Sequence, residues 1–140
     1  MTIKEIQNEI IDEFSMFDDW IQRYEYIIEL GKSLPLIKEE YKTDENLIKG
    51  CQSKVWLQGE QNDDKIVFTA DSDAILTKGI IAILIRAFSN QKASDIINAD
   101  TEFIDEIGLK EHLSPTRANG LVSMIKQIKM YALAFNAKSK

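Results

Sequence analysis

Between Ser53 and Asp71 the hydrophobic rhythm of the chain changes from helical spacing to strict alternation. Val55 and Leu57 fall on one face of the first segment, Trp56 and Gln58 on the other. Gln61-Asn62-Asp63-Asp64 supplies turn chemistry. Lys65 to Asp71 then alternates again, with Ile66, Phe68 and Ala70 on one face. Two alternating segments joined by a short polar turn make an antiparallel β-hairpin. Leu47-Ile48 reads as a further short strand. The long flanking segments follow helical spacing, so the expected fold class is α+β: a small antiparallel sheet, the hairpin plus a short strand, packed against several helices.

The helices have recognisable ends. Thr2 and Glu5 form a capping-box pattern ahead of the stripe Ile3, Ile6, Ile10 and Phe14. Ser15 followed by Asp18 reads as a second start, with Phe17, Trp20, Ile21, Tyr24, Ile27 and Ile28 recurring behind it and Gly31 as the stop; the two helices should form a bent pair. Pro35 to about Glu45 reads as a polar connector. Ser72 or Asp73 is the expected cap of a helix from about Ala74 to Ser89, whose apolar run predicts deep burial. Gly79 inside it predicts close packing against another element. Short helices are expected from Ala93 or Ser94 to Asn98 and from Thr101 to Ile107, the latter closed by Gly108. Ser114 and Pro115 open the last helix, whose stripe is Leu121, Ile125, Ile128, Ala132 and Phe135. No repeat or linker divides the chain, so residues 1–140 are expected to form one domain.

Charge and cysteine content narrow the function classes. Seventeen basic residues against 23 acidic ones leave no basic footprint for nucleic acid. The tail Lys138-Ser139-Lys140 reads as a frayed terminus. The longest apolar run, Ile80 to Ile85, is far too short to span a bilayer, and Met1 to Glu5 carries no signal-peptide character. A single cysteine forms no internal disulfide. The expected compartment is the cytoplasm.

That cysteine is the most chemically suggestive residue. Cys51 lies in Lys49-Gly50-Cys51-Gln52-Ser53-Lys54, a loop context, although a free cysteine is usually a buried apolar residue. Lys49 and Lys54 are expected to lower its pKa, and the thiolate is the reactive form. His112, the only histidine, allows a Cys-dependent hydrolase or transferase built on Cys51 and His112. It sits in a polar stretch, and a solvated loop histidine is the simpler account. One cysteine and one histidine are too few for a closed zinc site, and no EF-hand or phosphate-cradling glycine motif is present. Arg117 falls in the first turn of the last helix, where the helix dipole disfavours a cation, so it is either an exposed arginine or the contact for an anion. Asp73 is either a helix cap or a surface acid that meets a partner.

Three segments together resemble the SufE family of sulfur acceptors, including its CsdE branch: Gly50-Cys51-Gln52-Ser53-Lys54-Val55-Trp56, Ser72-Asp73-Ala74-Ile75-Leu76-Thr77-Lys78-Gly79, and Leu113-Ser114-Pro115-Thr116-Arg117-Ala118-Asn119-Gly120-Leu121. The similarity runs in order over nearly the whole chain and implies a SufE/IscU-like fold. It also implies a persulfide carrier in iron–sulfur cluster assembly. Cys51 would accept sulfur from a pyridoxal-phosphate cysteine desulfurase (SufS- or CsdA-like), stimulating it, and pass the sulfur to a SufBCD-like scaffold. On this resemblance Gly50, Gln52, Ser53, Asp73 and Arg117 surround the site and the partner surface. The pyridoxal phosphate would be the desulfurase's, with no cofactor, metal, nucleic acid or membrane for this chain. One cysteine suits a carrier, since a second thiol would collapse the persulfide into a disulfide. Because a persulfide is easily lost to solvent thiols, Cys51 is expected to rest partly covered by the hairpin and neighbouring helices, with Gly50 letting the loop swing the sulfur out when a partner docks. Rival readings are a cluster scaffold, which would need several cysteines, and an interaction module with a structural Cys51.

Overall fold

In the computed structural model, which describes residues 1–138, the chain forms α1 (Ile3–Ser15), α2 (Trp20–Gly31), β1 (Val55–Asn62), β2 (Lys65–Ser72), α3 (Ile75–Phe88), β3 (Gln91–Lys92), α4 (Ala93–Asn98), α5 (Glu102–Glu106), α6 (Leu109–His112) and α7 (Pro115–Lys138). Ser139 and Lys140 of the expected frayed tail lie outside the described residues. The architecture is α+β, with a three-stranded antiparallel sheet in the order β1-β2-β3. Val55, Leu57, Ile66, Phe68 and Ala70 all face the core, as their alternation requires. Leu47 makes a single antiparallel bridge to Trp56, which is all that becomes of the short strand expected at Leu47-Ile48.

α3 is the central element. Its run from Ile80 to Ile85 is buried on all sides because α1 and α2 cover one side while the sheet and α7 cover the other. The α2–α3 crossing depends on Gly79: a β-carbon there would lie 2.1 Å from the Ile27 carbonyl oxygen. Gly31 meets the same crossing, where a β-carbon would lie 2.9 Å from the Gly79 nitrogen. The sequence marks Gly31 as a conformational stop, yet its value is the absence of a side chain at the helix contact. The end of α2 is an ordinary right-handed one at Lys32.

Several expected boundaries shift for identifiable reasons. The capping box of Thr2 and Glu5 forms as read. α2, however, starts at Asp19, which caps Gln22 at 2.8 Å, and not at Ser15 or Asp18. The cap of α3 is Ala74 rather than Ser72 or Asp73, because both polar side chains are used on the neighbouring loop. Ile21 and Ile75 fit the helical stripes but point to solvent, at 72% and 69% exposure. The connector from Pro35 is less polar in effect than in composition: Leu34 and Ile37 are buried, and the Ile37 N–H donates to the Ala70 carbonyl at 3.0 Å. It lies against the side of β2 away from β1, beside β3. β3 and α6 are too short to show a period.

The opposite side of the sheet, along β1, is also covered. The Ile48 N–H donates to the Val55 carbonyl at 2.8 Å, and the Tyr131 hydroxyl of α7 donates to the Leu57 carbonyl at 3.2 Å.

An ion cluster ties α1 to α3. Arg86 donates to Glu13 and, at 2.8 Å, to Glu9, while the Tyr26 hydroxyl donates to Glu13. The Arg86 contact holds the Glu13 carboxyl below its ordinary value, and burial followed by the bond to Glu13 pushes the Tyr26 phenol up to about 12. A depressed carboxyl pKa stabilises the fold above its unfolded value and loses that contribution as pH falls through the folded one. Glu13→Gln is therefore expected to lower the melting temperature at neutral pH. The difference between its melting curve and that of the native protein should shrink as the pH falls below the ordinary glutamate range and vanish once the depressed Glu13 carboxyl is itself protonated.

Candidate functional site

Cys51 occupies the loop between Leu47, which bridges to Trp56, and the start of β1 at Val55. Local chemistry shapes that loop at both ends. Gly50 adopts φ +90°, a left-handed conformation open to glycine, and a β-carbon there would also lie 2.7 Å from the Ser123 hydroxyl of α7. At the far end, Asp73 Oδ1 accepts from the Lys54 N–H at 3.0 Å and the Asp73 N–H donates to the Lys54 carbonyl at 3.2 Å. The Ser72 hydroxyl donates to the same carbonyl at 2.8 Å. Asp73 is thus the staple of the cysteine loop, a role the sequence alternatives did not include. Its side chain does not line the thiol cleft.

The cleft is built by the loop and two helices. Gln52 and Ser53 form its polar wall, Thr77 and Ile80 of α3 its floor, and Thr116, Arg117, Gly120 and Met124 of α7 the remaining side. Cover for Cys51 comes from α3 and α7, where the sequence reading gave the hairpin a share. Cys51 is half-buried, and its Sγ–H donates to the Gly120 carbonyl at 3.6 Å. Gly120 gives the sulfur a close approach to the backbone: a β-carbon there would stand in contact with it at 3.4 Å. The cavity beside the thiol is about 10 Å³, room for one water-sized atom.

The electrostatics correct the sequence reading. Lys49 and Lys54 are exposed, and the thiol pKa is raised by burial instead of lowered by lysine charge. At rest the sulfur is a protonated donor to a carbonyl. Ionisation would remove that hydrogen and leave two electron-rich atoms face to face.

Arg117 reaches the cleft as a cation, its Nη1 donating to the Tyr24 hydroxyl of α2 at 3.2 Å. It stands there because Ser114 caps the first turn of α7, accepting from the Arg117 N–H at 3.3 Å. His112 is elsewhere. Its ring stacks on Trp20, with centroids 4.3 Å apart and planes 14° apart, and it is not among the residues lining the cleft. A Cys51–His112 dyad is therefore not assembled. Among the described residues no group of three or more His, Cys, Asp or Glu side chains is placed to hold a metal ion. Among them, too, no helix is long and apolar enough to cross a membrane.

Comparison with known proteins gives this geometry its context. The model of the SufE family, described as an Fe-S metabolism associated domain, matches residues 8–132. The chain belongs to the SufE family. A SufE-like protein of Rhizobium meliloti (strain 1021) is 45% identical over 130 residues, 89% of this chain and 93% of that one. Another, from Rhizobium etli, is 45% identical over 127 residues, 87% of this chain and 86% of its own length. The solution structure of a hypothetical protein from Thermus thermophilus has the same fold, with a TM-score of 0.77 at 14% identity over 92% of this chain and 94% of that one. SufE membership supports a sulfur-transfer role in iron–sulfur metabolism.

Within this SufE-family chain the structure brings Gly50, Cys51, Gln52, Ser53 and Arg117 together and leaves Asp73 one step behind, on the loop's anchor. Gly120, Thr77 and Tyr24 do not stand out in the sequence as site residues. Gly120 and Thr77 carry a signal, because they lie in the Leu113–Leu121 and Ser72–Gly79 segments that resemble the family. Tyr24 looks like an ordinary helix residue.

Proposed function

We propose that this protein is a persulfide carrier whose sulfur-accepting residue is Cys51. The observation that carries the reading is the cleft itself. A solitary thiol is half-buried there, on a loop stapled at Asp73 and relieved at Gly50, beside free space of about one atom. That space suits one additional sulfur and little else.

The chemistry is a thiol exchange. Cys51 loses its proton to solvent, and the thiolate attacks the outer sulfur of a donor persulfide. The donor S–S bond breaks, the donor leaves as a thiolate with the bonding pair, and a new S–S bond forms on Cys51. No net oxidation occurs and no general-base triad is required. The donor is a cysteine desulfurase whose own pyridoxal phosphate releases sulfur from cysteine. Clearing its persulfide returns its active thiol, which accounts for stimulation. The recipient is an iron–sulfur cluster assembly scaffold. Raising the thiol pKa by burial keeps the empty carrier quiet toward small oxidants. Ionisation weakens the Gly120 contact and favours presentation of the sulfur when a partner opens the cleft.

The test is incubation with a cysteine desulfurase and free cysteine, followed by intact mass measurement. One reducible sulfur atom on Cys51 is expected, together with faster turnover of the desulfurase. His112→Ala should acquire sulfur at the native rate, which separates this reading from a Cys–His hydrolase. No adduct with any cysteine desulfurase would overturn it.

A further inference from the structure

Resting on the carrier function above, we propose that Tyr24 is a positioning residue: it holds the Arg117 guanidinium for the outer sulfur of a Cys51 persulfide, and not for the empty thiol. Three observations converge. Arg117 sits at the start of α7, where the dipole opposes its charge, yet among the described residues it makes no ion pair. Its side-chain partner is the neutral phenol of Tyr24, which fixes the guanidinium without cancelling its charge.

Tyr24 is itself well placed to act as an anchor. Its ring lies edge-on to Trp20 at 6.3 Å, and Trp20 is stacked on His112. The helix beneath it is locked to α3 through the Gly31–Gly79 contact. The hydroxyl is therefore set by packed elements rather than by a loop.

The third observation is the position of the charge relative to sulfur. The resting thiol is raised by burial and donates to the Gly120 carbonyl, not to an anion-binding partner. A persulfide carries its terminal atom about 2 Å beyond Sγ, the length of an S–S bond. Cys51 and Arg117 line the same small cavity, which is the free space beside the sulfur that such an atom would take. Cys51 and Arg117 are the titratable side chains of the cavity wall; Lys54 and Asp73 belong to the loop's anchor outside it, and the Tyr24 phenol lies behind Arg117. A terminal persulfide sulfur is the anion the site is built to meet, so the loaded carrier is stabilised over the empty one.

The test loads sulfur chemically, so it does not depend on any desulfurase. Cys51 is converted to a mixed disulfide with thionitrobenzoate and displaced with hydrosulfide, and the added sulfur is verified by intact mass. Iodoacetamide alkylation is then followed against pH for thiol and persulfide forms of the native protein, Tyr24→Phe, Arg117→Gln and the double variant. The thiol midpoint should be the same in all four. The persulfide midpoint should rise by about one pH unit in Arg117→Gln and by about half a unit, roughly threefold in ionised fraction, in Tyr24→Phe. Tyr24→Phe should add nothing in the Arg117→Gln background, because it acts through that residue. Equal shifts of thiol and persulfide, an additive double variant, or no shift at all would overturn the proposal. So would failure of Cys51 to hold a chemically added sulfur. Loss of loading from a desulfurase alone would strike only the function proposed above.

Discussion

Cys51→Ser is expected to acquire no sulfur from a cysteine desulfurase and to leave the rate of that enzyme at its unassisted level. The serine hydroxyl fits the cleft almost isosterically and can donate to the Gly120 carbonyl as the thiol does. The fold and its melting temperature should therefore change little. What disappears is the polarisable nucleophile. A hydroxyl with an alcohol pKa attacks sulfur poorly and cannot form the S–S bond on which transfer depends. Intact mass after incubation with desulfurase and cysteine reads the first expectation, and sulfide or alanine release reads the second. A variant that still stimulates the desulfurase would mean that binding, and not sulfur acceptance, is the function. Retained docking without turnover, measured as competition against the native protein, is the outcome that fits a chemical role.

The second large effect is on stability. Gly79→Ala would place a methyl group 2.1 Å from the Ile27 carbonyl oxygen, far inside contact distance, against backbone that has nowhere to turn. Alanine gains about 1 kcal/mol of helix propensity over glycine. Separating α2 from α3 to admit the methyl costs more, because the crossing is filled by the buried surface of both helices; we expect a net loss of about 3 kcal/mol. For a domain of this size that corresponds to a fall in melting temperature of about 10 °C. Thermal unfolding followed by circular dichroism reads it directly. An unchanged or raised melting temperature would show that the helices slide apart freely and that Gly79 is retained for another reason. Because α2 also carries Tyr24, a partly folded variant should lose the Arg117 anchor along with its stability.

Much of this fold is legible in the amino-acid sequence because its signals are local. The alternation of Val55 to Leu57 and Ile66 to Ala70, the capping box at Thr2, and Ser114-Pro115 each encode their element within a few residues. The loop identity of Cys51 is visible for the same reason. What stays hidden is whatever depends on residues distant in sequence. Gly31 and Gly79 are 48 positions apart, and only the fold shows that they share one contact. The polar character of Lys49 and Lys54 suggests an activated thiol, but burial by α3 and α7, elements far down the chain, outweighs their exposed charges. Asp73 carries the usual signature of a helix cap, and the competing backbone of Lys54 claims it. Tyr24 is hidden for a simpler reason: an aromatic residue at helical spacing looks the same whether its hydroxyl is idle or holds an arginine.

The cover over both margins of the sheet has a consequence for life at high concentration. Exposed strand margins are templates on which another molecule can add its own strand, the common first step toward aggregates. Here Ile48 and Tyr131 occupy acceptors along β1, and the chain from Pro35 to Ile37 occupies β2 beside β3. Crowded copies therefore find those positions already taken, and encounters with other proteins rest more on side chains, which can be made brief and selective.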